Sequence, residues 1–131
     1  MSALEDAAGE SFCYVTTEGR VTDKPHTVEI WFALAGRTLY ILSGGRERSD
    51  WVKNGMKQPG VSVRLADVQY KGRMRIVEAE EEDALARRLL LEKYAPGDSG
   101  SLSDWGKTAL PVAIDIEPSP PAPLPHAGEG S

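Results

Sequence analysis

A mainly β fold with added helices, a small antiparallel barrel of about six strands with two or three helices packed outside, is what this 131-residue sequence predicts. Three observations carry that prediction. Apolar residues alternate with a period of two along most of the chain, several strand connections are short enough only for hairpins, and no strand-helix-strand unit repeats.

The first strand is FCYVT, where Phe12, Tyr14 and Thr16 alternate with Cys13 and Val15. A polar loop, GRVTDKPH, follows, and Pro25 fixes the chain's approach to the second strand. There His26, Val28, Ile30, Phe32 and Leu34 share one face, with Thr27, Glu29, Trp31 and Ala33 on the other. Both faces are partly apolar, which suits a strand inside a closed barrel or one lying against a partner subunit. Ala35-Gly36 turns the chain into TLYILS, rich in strand-favouring side chains, so a hairpin is expected.

The period then changes. Ser49 is a suitable N-cap, Asp50 sits in the first turn, and Trp51, Val52, Gly55 and Met56 fall on one side of a short helix. Gly55 weakens that helix and Pro59 ends it. A second hairpin follows. Val61, Val63 and Leu65 form one arm, Ala66-Asp67 the turn, and Val68, Tyr70, Met74 and Ile76 the other arm, alternating with Gln69, Lys71, Arg73 and Arg75. Gly72 marks a bulge or a close backbone approach. EEEDALARRLLLEKY is the clearest helix, with acids in its first turn, an Asp83–Arg87 pair and a stripe of Leu85, Ala86, Leu89 and Leu90. Pro96-Gly97 stops it, and Trp105 anchors an irregular segment. The last strand, LPVAIDIE, turns Leu110, Val112, Ile114 and Ile116 inward, with Pro111 favouring an edge or the start of a strand.

The folded unit predicted by this pattern covers residues 10–117. Beyond it PSPPAPLPHAGEGS, residues 118–131, has almost nothing to bury and reads as a disordered tail. A formal charge of -5 argues against nucleic-acid binding through many phosphate contacts. The single cysteine, Cys13, excludes an internal disulfide and lies in an apolar run as core filler. No basic region precedes an apolar one at the N-terminus and no run reaches membrane-span length, so a cytoplasmic location is expected.

Three places could hold chemistry. Ser43, Gly44, Gly45, Arg46 and Ser49 could receive an anion, because glycine permits positive dihedrals and close approach to amides while Arg46 and Arg48 add charged donors. The plain alternative is a flexible hairpin exit with solvated arginines. Arg20, Lys24 and His26 stand in or beside the first loop, which reads equally as a polar turn. Arg64, Lys71, Arg73 and Arg75 form a row of charge that meets either cofactor phosphates or solvent. Trp51 and other aromatic residues could stack on a flat ring or pack a core, and Asn54 could hydrogen-bond a ring or a loop. No nucleophile-base pattern, zinc constellation or opposed carboxylate pair is present, so any redox chemistry falls to a bound cofactor.

TTEGRVTDKPHTVEIWFALAGRTLYILSGGRERSDWVKN, PGVSVRL, the basic strand, the acidic helix ending in KY and the closing PVAIDI together resemble the split β-barrel flavin- and deazaflavin-dependent reductases, relatives of pyridoxamine phosphate oxidase. The resemblance spans about residues 12–116. It implies binding of F420 or FMN, with the phosphate end near Gly44 to Asn54, and a cofactor-groove role for Arg20, Lys24 and His26. It also implies hydride transfer to a small unsaturated, quinone-like or nitro substrate, and a homodimer with cofactors at the subunit junction. Thr22-Asp23 stands where such proteins commonly have Ser-Gly, and Gly55 where a leucine is common. A different class, a non-catalytic cofactor- or haem-binding barrel, would use His26 as its folded histidine ligand.

Overall fold

The computed structural model describes residues 7–18, 24–66, 68–94 and 107–117. The elements are β1 (Cys13–Glu18), β2 (Pro25–Ile30), β3 (Ala33–Ala35), β4 (Thr38–Ser43), α1 (Asp50–Lys57), β5 (Gly60–Leu65), β6 (Val68–Ile76), α2 (Glu80–Tyr94) and β7 (Leu110–Ile116). The strands form one antiparallel sheet in the order β2-β1-β5-β6-β7-β4-β3.

That order explains the curvature. β2 and β3 lie at opposite edges, yet only Trp31 and Phe32 separate them in the chain. Three Cα–Cα steps span at most about 11 Å, so the edges must approach one another and the sheet must curl into a barrel. The single strand expected from His26 to Leu34 is therefore broken at Trp31-Phe32. Its face assignment survives the break. Val28, Ile30, Phe32 and Leu34 pack into the barrel interior, whereas Trp31 and Ala33 pack into a second apolar cluster with Leu90.

Two cores result. Inside the barrel Val15, Leu39, Ile41, Val63, Leu65, Val112 and Ile114 are fully or almost fully buried. On the outside α2 covers β3, β4 and β7, burying Ala86 and Leu90 against Tyr40, Leu42 and Ala113. A continuous β7 buried on both faces is the reason its alternation looks blurred in burial. Pro111 sits in this interior strand, not at a sheet edge, and is tolerated because pairing with β6 starts one residue later, at Val112.

Local chemistry sets the joints. Gly36 (φ 62) supplies the positive dihedral of the two-residue β3–β4 turn. Gly72 marks a close approach, with continuous pairing to both neighbours. A Cβ there would lie 2.6 Å from Ile114 Cγ2 and 3.0 Å from the Asp115 carbonyl oxygen. Cys13 is buried, and loss of hydration pushes its thiol up to about 12, in keeping with a filler role. Ala7, ahead of the expected boundary at residue 10, lies in a 3-10 turn and joins the core. The tail from 118, Pro96-Gly97 and Trp105 lie outside the described residues.

Candidate functional site

β4 ends at Ser43, which is 2% exposed, and Gly44-Gly45 lead into a 3-10 turn, Arg46–Arg48, just before α1. Ser43 Oγ donates to the Arg46 carbonyl at 3.1 Å, and Ser49 Oγ lies 3.1 Å from Ser43 Oγ. With the Ser43 proton committed to the carbonyl, Ser49 is the donor of that second bond. Gly45 has an ordinary φ of -82, and a Cβ there would meet Ser49 Oγ at 2.4 Å, so a side chain at 45 would turn that hydroxyl away from Ser43. The left-handed backbone expected of the glycines falls instead on Arg46 (φ 53), at a cost of about 1–2 kcal/mol. Its guanidinium donates to the Thr108 carbonyl and lies 3.6 Å from Glu47.

Ser49 is the N-cap of α1, as its sequence position suggests, but makes no side-chain cap bond. Its hydroxyl is turned to Ser43, so the first-turn amides of α1 lack a side-chain acceptor from the cap. Arg48 and Lys53 are exposed around this end, together with Glu47 and Asp50.

Farther along α1, Trp51 and Val52 enter the barrel core. Asn54, 3% exposed, donates its Nδ2 to Thr17 Oγ1 of β1 at 3.2 Å. Thr17 pairs with His26 across β1 and β2, which places exposed His26 on the same face beside α1. Lys24 is exposed just before β2. Thus α1 joins two of the three candidate regions, with Ser49 and Asn54 separated by about 7.5 Å along the helix. Thr17 and Thr108 are the partners the sequence reading missed. Continuing the inward alternation of Cys13 and Val15 by one step would have found Thr17; nothing local to Thr108 marks it. Arg20, Thr22 and Asp23 lie outside the described residues.

The basic row is divided. Arg75 makes paired bonds to Glu82, both 2.7 Å, and further bonds to Asp115 at 2.7 and 3.2 Å. Tyr40 donates to Glu82 at 2.7 Å, and Thr38 to Asp115 at 3.1 Å. These bonds hold Glu82 down at about 2 and Asp115 below its ordinary value, whereas burial and the bond to Glu82 raise the Tyr40 phenol to about 12. Arg75 is thereby a clamp between β6, β7 and α2. Arg64 lies 4.2 Å over the Tyr14 ring. Arg73 is exposed on the outer face of β6, opposite Gly60 and Asp115, away from α1, which rests on the inward-facing Met74.

The F420H(2)-dependent quinone reductase family profile matches residues 5–117. The chain belongs to that family.

Three solved structures place this family member's fold. An F420-H2 dependent reductase, FDR-A, is 22% identical with a TM-score of 0.66, over 82% of this chain and 95% of that one. A conserved hypothetical protein from Mycobacterium tuberculosis is 21% identical with a TM-score of 0.70, over 89% and 81%. The heme storage protein HutZ from Vibrio cholerae is 11% identical with a TM-score of 0.72, over 88% and 89%. No curated protein matches the chain. The F420H(2)-dependent quinone reductase match begins ahead of β1, which brings the buried Ala7 within the family's span. The split-barrel architecture expected from the sequence is the one observed. Among the described residues no cluster suits a metal ion, and no helix is long and apolar enough to cross a membrane.

Proposed function

We propose that this protein binds F420 or FMN and reduces a small unsaturated, quinone-like or nitro compound. The family match over residues 5–117 carries this reading. The corner between β4 and α1 supports it, since its residues fit an anionic end. The start of α1, to which the Ser49 side chain gives no cap bond, meets an exposed Gly44-Gly45 turn there, with Arg46, Arg48 and Lys53 outnumbering Glu47 and Asp50.

In this reading Gly44 and Gly45 leave the backbone open to close approach, and Arg46 and Arg48 add charge-assisted donors. Ser43 and Ser49 hold the corner's shape through their mutual bond, and Asn54 fixes the far end of α1 on β1 through Thr17. Lys24 and His26 extend the groove along β2; Arg20, to which the family resemblance gives a role there, lies outside the described residues. Arg73 reaches the cofactor only from a second subunit or from the outer face. The bound ring system would supply the hydride, so no side chain serves as nucleophile.

Titration of the purified protein with F420 and with FMN, followed by ring fluorescence, tests the proposal. Saturable binding of one of them is expected; binding of neither removes the reading. We also propose a homodimer, because no residue of β1, β2 or β5 belongs to the apolar cluster that α2 covers. A monomeric mass at micromolar concentration would contradict it. A non-catalytic haem-binding role is the second reading, supported by the fold likeness to HutZ and by the exposure of His26. A Soret band on haem addition that disappears in His26→Ala would favour it.

A further inference from the structure

Between the second half of α1 and the first turn of α2 the surface opens into a cavity of about 520 Å³. Gly55, Met56, Met74 and Ile76 form its apolar part, and Glu78 and Glu82 its acidic part. None of the residues from Ser43 to Asn54 lines it, so it is separate from the corner at the start of α1. Its volume lies in the range of small-molecule pockets.

The lining selects a class of occupant. Met56 is 56% exposed, an unusual position for a large apolar side chain, and with Met74 it offers two polarisable thioethers to an aromatic ring. Gly55 makes room for the Met74 thioether against α1, since a Cβ there would lie 2.0 Å from Met74 Sδ. The charge is one-sided. Arg75 is taken up by Glu82 and Asp115 together, which leaves one guanidinium against those two carboxylates and Glu78. Glu80 and Glu81 in the same turn of α2 outweigh the partial positive charge of the helix start, while Asp83 is paired with Arg87. A phosphate or carboxylate is repelled here, and a delocalised cation on a flat apolar body is matched on both counts.

We infer that this cavity binds a flat aromatic cation, independently of the site proposed for the redox cofactor. The chain has three methionines, Met1, Met56 and Met74, so methyl-13C methionine labelling gives a direct readout. Addition of N-methylquinolinium should shift the Met56 and Met74 signals and leave Met1 in place. The anionic 2-naphthoate should leave all three in place. Glu78→Gln, a surface change, should weaken cation binding about two- to fivefold. Gly55→Ala should displace the Met74 thioether from its place against α1 and weaken cation binding further, with the circular dichroism spectrum retained. Unmoved Met56 and Met74 signals at several times about 1 mM cation, or equal binding of naphthoate and cation, would overturn the inference.

Discussion

The phenol oxygen of Tyr94, at the end of α2, lies 3.1 Å from both the backbone nitrogen and the carbonyl oxygen of Phe32, in the link between β2 and β3. It also lies 2.8 Å from the Ser11 carbonyl. A phenol has one proton, and Lys93 Nζ already donates to the Phe32 carbonyl at 3.0 Å. The consistent pattern has Tyr94 accept from the Phe32 N–H and donate to Ser11. Trp31 stacks on the same ring, with centroids 4.4 Å apart and planes within 5°. The end of α2 thus fastens the segment that brings the two sheet edges together.

Tyr94→Phe keeps the stacked ring and removes the oxygen, which strands the Phe32 N–H. A loss of about 1–3 kcal/mol is expected in urea unfolding, with little change in aromatic circular dichroism.

The Arg75 clamp makes stability depend on acid. Glu82 is held at about 2 in the fold against an ordinary 4.5, so its contribution is complete above about 4.5 and is lost as pH falls toward 2. Arg75 is 40% exposed and solvent screens it, so Arg75→Met should cost about 1 kcal/mol at pH 7. Urea midpoints of the two proteins should converge as the pH approaches 2.

Ala66 turns the β5–β6 hairpin with φ 53, a conformation that suits glycine better than alanine. Relief of that strain exceeds the added chain entropy, and Ala66→Gly should stabilise by roughly 0.5–1 kcal/mol in thermal unfolding.

Gly72→Ala should do the reverse. Its Cβ would press on Ile114 and on the β7 backbone at Asp115, neither of which can swing aside, and a loss of about 1–3 kcal/mol is expected.

Arg46→Ala tests the corner. If its guanidinium leaves the Thr108 carbonyl for a cofactor phosphate, affinity should fall by about 1.5–3 kcal/mol. Unchanged affinity with a lowered melting temperature would confine Arg46 to holding the segment around Thr108.

Strands, hairpins and both helices were legible because a half-buried strand and a one-faced helix leave distinct periods in the sequence. The break at Trp31-Phe32 was not, because both halves of that segment keep the same inward parity through the bend. The apolar pattern puts Met56 on the buried side of α1, yet Asn54 takes that place by bonding to Thr17, a contact no helical period announces. In the basic row, Arg64 to Arg75 look alike as letters. Only the bonds to the Glu82 and Asp115 carboxylates separate Arg75 from Arg73, and those come from 7 and 40 residues away along the chain. The dihedral freedom expected of the corner glycines is not used at Gly45, whose φ is ordinary; the positive φ falls on Arg46, which no sequence pattern marks.

The brevity of the Trp31-Phe32 link also bears on solubility. While it is intact, the adjoining ends of the two outermost strands are held close to one another, which hinders either from pairing with another molecule. A single proteolytic nick there would release both margins, and the cut chain should gather into β-rich aggregates before it loses its secondary structure.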